Sequence, residues 1–175
     1  MKFKIIAVGV AALVVVGSAG ATIGWYAKWR GSAPITVGVD LGDVYNYPDE
    51  VQQALDALAD WSASPVVDMK VVNKGAKVNV VVDTLCDVGC TVPNYSNGVL
   101  HSAVVHINPA VFAWTDEQWV FCHEFGHTLG LGEGYPLEAT GDYGSCMAGD
   151  GLHPSQQDFD VLASMYPLGT LKPNK

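Results

Sequence analysis

The residues of this chain whose types and spacing could do chemistry lie in one stretch, Phe121-Cys122-His123-Glu124-Phe125-Gly126-His127-Thr128-Leu129-Gly130-Leu131-Gly132-Glu133. On a helix, His123 and His127 lie one above the other on the same face and can present two imidazoles to one metal. Glu124, beside the first of them, is placed to reach a metal-bound water as a general base. Gly130 follows where a left-handed residue ends a helix and folds the chain back. Glu133 then falls where the returning chain passes the metal again.

The pattern H-E-x-x-H-x-x-G-x-x-(third ligand), with Tyr143-Gly144-Ser145-Cys146-Met147-Ala148-Gly149 downstream, resembles the metzincin metalloproteases and their small matrixin-like branch in particular. The resemblance implies that His123, His127 and Glu133 hold one catalytic zinc, with Glu124 as the catalytic base. Met147 would then lie in a tight turn, the Met-turn, beneath the site. The family has His, sometimes Asp, at the third ligand position, whereas this chain has Glu133. A carboxylate is a legitimate zinc ligand of similar reach, but it brings negative charge to the metal and weakens its pull on water. Asp142, Asp150 and His153 are the substitute ligands. Some metzincins carry a Tyr two residues after the Met; Gly149 stands there, which leaves Tyr143 as the candidate donor.

The function implied is that of an endopeptidase. Its peptide or protein substrate would lie extended along an edge strand, expected within Val99–Ile107. The alternative is a catalytically weak or inactive zinc-stabilised binding module of the same fold. Glu133 motivates that alternative, and the base at Glu124 argues against it.

Positioning these groups requires an α+β domain: a zincin-like, twisted mixed sheet with an active-site helix, a Met-turn and a C-terminal helix. The elements are legible in that order. Ile35–Asp40 alternates like a first strand. Pro48 suits the first turn of a helix whose apolar face is Val51, Leu55, Leu58 and Trp61, with Ala54 beside them. Val66–Val72 and Val78–Thr84 are β-rich, joined through Asn73–Ala76 by a hairpin-like or offset connection. Cys86–Gly98 reads as a loop and Val99–Ile107 as a further strand. Thr115–Gln118 and Ser155–Asp158 are capping boxes for the metal helix and the closing helix.

At the N-terminus, Met1–Lys4 is basic and Ile5–Ala27 carries no charge. Two readings stand. Ala19-Gly20-Ala21 is a cleavage signal, which makes the segment a removable signal peptide cut near Ala21. The run is also long enough to span a bilayer, and Trp25–Arg30 resembles an interfacial belt, which makes it a retained anchor. Either reading exports the remainder. Residues 1–30 are therefore expected to be the anchor or signal, 31–34 a linker and 35–175 a single catalytic domain. The short span between Ala27 and Ile35 leaves the expectation of no propeptide and no cysteine switch.

Beyond Arg30 the chain has five basic and eighteen acidic residues, a net charge of −13. That excludes nucleic acid and an anionic lipid surface as expected partners, leaving the N-terminal segment as the membrane contact if it is not cleaved. Four cysteines in an exported chain read as two disulfides. Cys86 and Cys90 pair most naturally with each other, which leaves Cys122 and Cys146. In the metzincin arrangement those two are neighbours, and their bond would fasten the metal helix to the Met-turn. A cysteine-built zinc site is the weaker rival. Asp40, Asp43, Asp49 and Glu50 could bind calcium but show no EF-hand spacing. His101 and His106, five apart on one strand, point to opposite faces and do not share a metal without a bend.

Overall fold

The computed structural model of the chain describes residues 27–113, 117–132, 144–149 and 151–168. A six-stranded sheet forms its frame. Strand β1 is Lys28–Trp29, β2 Ile35–Asp40, β3 Val67–Val71, β4 Val78–Val82, β5 Gly89–Ser96 and β6 Val99–Ile107. Every pairing is parallel except that of β5 with β6. In β2 the alternation has the expected result, with Ile35, Val37 and Val39 buried. Strands β3 and β4 flank β2 on opposite sides. Val39 aligns with both Val71 and Val78, so the chain crosses past the end of β2 and β4 runs onward. Of the two connections expected through Asn73–Ala76, the offset one forms.

The expected substrate strand requires correction. Strand β6 is interior: β4 and β1 pair with it on one side and β5 along the other. The edge is β5, inside the stretch read as a loop from Cys86 to Gly98. Its turn is Asn97-Gly98, with φ of 51° and 72°, the two left-handed residues of a tight hairpin.

Helix α1 spans Pro48–Ser62, helix α2 Gln118–Thr128 and helix α3 Gln156–Met165. The buried stripe of α1 is Ala54, Ala57, Leu58 and Trp61; Leu55, assigned to that face from sequence, is exposed. Helix α2 is nearly all core, with Phe121, Cys122 and Phe125 fully buried. Trp61 of α1 fixes the two helices together, its Nε1 donating to the Cys122 carbonyl at 2.8 Å. Thr115 and Asp116 of the first capping box lie outside the described residues. The N-cap position of α2 is Glu117, and the Gln118 side chain donates to Asp60 of α1. At α3 the capping box forms between Ser155 and Asp158.

The domain begins earlier than Ile35. Lys28 and Trp29, assigned from sequence to an interfacial belt, form β1, and Trp29 is buried in the core. The reason is physical: Trp29 finds its hydrogen-bond acceptor inside the protein, at the Thr128 carbonyl 2.8 Å away. Residues 1–26, with the Ala21 cleavage signal and nearly all the apolar run, lie outside the described residues. Among those described, no helix is long and apolar enough to cross a membrane.

Candidate active site

The C-terminal end of α2 is closed by a Schellman motif. Gly130, at φ +97°, supplies the left-handed residue. Its N–H donates to the His127 carbonyl and the Leu131 N–H to the Gly126 carbonyl. The next two carbonyls find partners from the chain ends, Thr128 from the Trp29 indole and Leu129 from the Tyr166 hydroxyl. Burial pushes the Tyr166 phenol up, so it stays a donor, and it also accepts from the Trp29 N–H at 3.0 Å. A Cβ at Gly130 would fall on the Ala27 carbonyl oxygen. Glycine is thus required twice over, by φ and by close approach.

This turn has a direct consequence for the histidines. It returns the Leu131 carbonyl to within 2.8 Å of His127 Nδ1. The second ring is held in the same manner, with His123 Nδ1 at 2.9 Å from the Cys146 carbonyl. A carbonyl oxygen only accepts, so each Nδ1 donates its proton backwards and Nε2 is the atom each ring turns toward the other. The two Nε2 atoms are 3.0 Å apart.

The Cys146 carbonyl comes from the turn Cys146–Ala148, capped by Ser145, whose hydroxyl accepts from the Met147 N–H. A disulfide joins Cys122 to Cys146 with a Cα–Cα distance of 5.9 Å, and a second joins Cys86 to Cys90. Met147 is buried, and its sulfur lies where a Cβ at Gly126 would be. Gly126 therefore lets the turn pack directly against the backbone of α2 between the two histidines.

Glu124 is buried, 4% exposed. Its carboxylate meets β5: the Thr91 hydroxyl is 2.8 Å from Oε2 and 2.9 Å from the Glu124 main-chain oxygen. Thr91 drew no attention in the sequence, where it lay in the presumed loop. The signal that could have found β5 is Asn97-Gly98 between β-prone residues, a strong hairpin pattern.

The paired Nε2 atoms are suited to a metal. They face each other at 3.0 Å, and a cation lying between them would be held by both nitrogens. Zn–N bonds of about 2.0–2.1 Å span such a gap, and the Nδ1 partners are the orienting bonds that metal-bound histidines make. Among the described residues no group of three His, Cys, Asp or Glu side chains is assembled for a metal. Glu133, Asp142, Tyr143 and Asp150 lie outside those residues. His153 is committed elsewhere, its Nδ1 2.7 Å from Asp60.

His101 and His106 have separate partners, Ser96 and Asp83, and the β5–β6 register shifts at His101, which lies between the paired Leu100 and Ser102. The Leu85 N–H and then His106 hold the Asp83 carboxyl below its ordinary value. Of the acids considered for calcium, Asp40 accepts from the Gly42 N–H and Asp43 from the Val82 N–H.

No protein-family model matches the sequence, and no curated protein sequence does. Among solved structures the chain is similar to high choriolytic enzyme 1, a hatching-enzyme zinc protease from the medaka fish Oryzias latipes. The superposition has a TM-score of 0.52 and covers 81% of this chain and 94% of that one, at 13% sequence identity. The fold of this chain is accordingly α+β, a parallel-dominated sheet with helices, and is shared with that zinc protease.

Proposed function

We propose that the chain is an exported zinc endopeptidase of the metzincin type with a matrixin-like site. His123, His127 and Glu133 are its metal ligands and Glu124 its general base. One observation carries the reading: two Nε2 atoms face each other at 3.0 Å while each ring is tied through Nδ1 to a main-chain carbonyl. Bound there, zinc supplies Lewis acidity, acidifying a water and polarising the scissile carbonyl. The histidines are oriented before the ion arrives, which limits the ordering that binding requires. Glu124 takes the proton of the attacking water and delivers it to the leaving amine. Glu133 adds a negative charge to the ligand set, so this enzyme is expected to be slower than a three-histidine relative.

The substrate pairs as an added strand with β5. Val88 accepts from Asn108, on the β6 side, so the main-chain groups of Gly89, Thr91 and Pro93 alternate outward. Pro93 agrees, since a proline in a sheet keeps its nitrogen on the unpaired side. Gly89 and Thr91 therefore offer both donors and acceptors beside Glu124, and Pro93 offers a carbonyl alone. Export agrees with two disulfides and the charge-free N-terminal run. A retained anchor would hold the domain close to the bilayer, since β1 begins at Lys28.

The test is cleavage of a broad peptide library by the purified protein, with and without a zinc chelator, beside Glu124→Ala. Cleavage is expected to stop with chelator. Glu124→Ala is expected to lower kcat by about 10²–10⁴-fold with zinc still bound. A folded, zinc-loaded protein that cleaves nothing would overturn the reading and leave the zinc-stabilised binding module.

A further inference from the structure

The mechanism leaves one contact at the site unexplained, the one between the proposed general base and the edge strand. The Thr91 hydroxyl has a single proton and two acceptors within reach, Glu124 Oε2 at 2.8 Å and the Glu124 carbonyl at 2.9 Å. Inside a helix that carbonyl is already the acceptor for the N–H four residues on. The Thr91 hydroxyl is therefore directed to Oε2, the shorter of its two contacts. Two positions earlier on the same face of β5, Gly89 completes the niche. A Cβ there would lie 3.1 Å from Glu124 Oε1 and 3.2 Å from its Cγ, tighter than side chains normally pack. Glu124 is thus seated by a hydroxyl at one carboxylate oxygen and by an absent side chain at the other.

We infer that Thr91 is a positioning residue for Glu124. It holds Oε2 so that the carboxylate keeps one rotamer, and Gly89 gives that rotamer its room. This rests on the proposed role of Glu124 for its catalytic meaning, though not for its structural one. The niche also links chemistry to substrate binding, because the main-chain groups of Gly89 and Thr91 face outward on the strand proposed to pair with substrate. A misplaced β5 would move the base as well as the peptide.

The experiment is a double-mutant cycle read by denaturant unfolding of the full, metal-stripped chain, run together with peptide kinetics on the zinc-loaded protein. Thr91→Val keeps the shape and removes the donor; Thr91→Ser keeps the donor. Thr91→Val is expected to lower the unfolding midpoint clearly in the parent and much less in the Glu124→Ala background, with Thr91→Ser close to the parent. In kinetics, Thr91→Val is expected to lower kcat at least tenfold with KM within about twofold, and Thr91→Ser to recover most of the loss. Equal midpoint losses in both backgrounds would overturn the inference, as would an unchanged kcat in Thr91→Val. If the parent cleaves no peptide, the proposed function fails. The unfolding cycle, which needs neither metal nor activity, still decides whether Thr91 seats Glu124.

Discussion

His123 and His127 turn their Nε2 atoms to within 3.0 Å of each other because carbonyls hold both rings from behind. Cys146 holds the first and Leu131 the second, so the turn Cys146–Ala148 and the helix-ending turn each orient one ring. Metal binding should stabilise this fold through both. At zinc activities about 100-fold above the dissociation constant the gain is about 2.7 kcal/mol. A thermal shift on zinc addition is expected in the parent and absent in His123→Ala and in His127→Ala. A shift retained by either variant would place the metal elsewhere.

The disulfide between Cys122 and Cys146 closes a loop of sequence separation 24. Replacing both cysteines with alanine should destabilise the protein by about 3.5 kcal/mol if loop entropy alone acts. It should also loosen the Cys146 carbonyl behind His123, and loss of such an orienting bond typically weakens metal affinity about 10- to 100-fold. Denaturant unfolding of the metal-stripped protein and competitive zinc titration separate the two effects. Full zinc affinity in the double variant would show that the turn holds His123 without its covalent tie.

Gly126 sits between His123 and His127 in sequence and against Met147 in space. A Cβ there would meet the Met147 sulfur and lie 2.7 Å from Trp61. Gly126→Ala should therefore cost about 1–3 kcal/mol through overpacking, despite the better helix propensity of alanine. Unfolding by denaturant checks this, and a stabilised variant would contradict the packing described.

Much of this architecture was legible in the residues themselves. The spacing of His123 and His127, Gly130 and the Ser155 capping box are local signals, and each has a local physical cause. The edge strand was not legible in the same way. Gly89, Pro93 and Asn94 have loop-like composition, and their strand exists because Asn97-Gly98 folds them onto β6. Trp29 was misread for a related reason: beside an apolar run an aromatic residue suits a bilayer interface, and only the fold reveals Thr128 as its partner. The role of the Tyr166 hydroxyl on the Leu129 carbonyl is likewise a tertiary fact.

Trp29 carries its own prediction. Trp29→Ala removes a buried ring and leaves the Thr128 carbonyl without the indole N–H, so a loss of about 3–5 kcal/mol is expected. A protein starting at Ile35 should show the same loss, whereas one starting at Ala27 should unfold like the full chain. Equal stability of the two truncations would contradict the assignment of β1 to the domain.

Glu50 gives the pH dependence. Burial first, then the nearby Glu117 and Asp49, push its carboxyl above the ordinary 4.5. The folded protein thus holds this proton more tightly than the unfolded chain, and its contribution is fully favourable below pH 4.5. Stability from this group falls as pH rises through its folded value. Glu50→Gln should accordingly raise the unfolding midpoint at pH 7 and leave it nearly unchanged at pH 3. The reverse order would contradict the sign.

The most direct test of the central claim is to measure bound metal and its ligands in one sample. Zinc content by mass spectrometry and zinc K-edge X-ray absorption should be read on the full chain and on His123→Ala. One zinc per chain is expected, with nitrogen and oxygen donors only at about 2.0–2.2 Å, and no stoichiometric zinc in the variant. Sulfur donors at about 2.3 Å, or a full complement of zinc in His123→Ala, would contradict it.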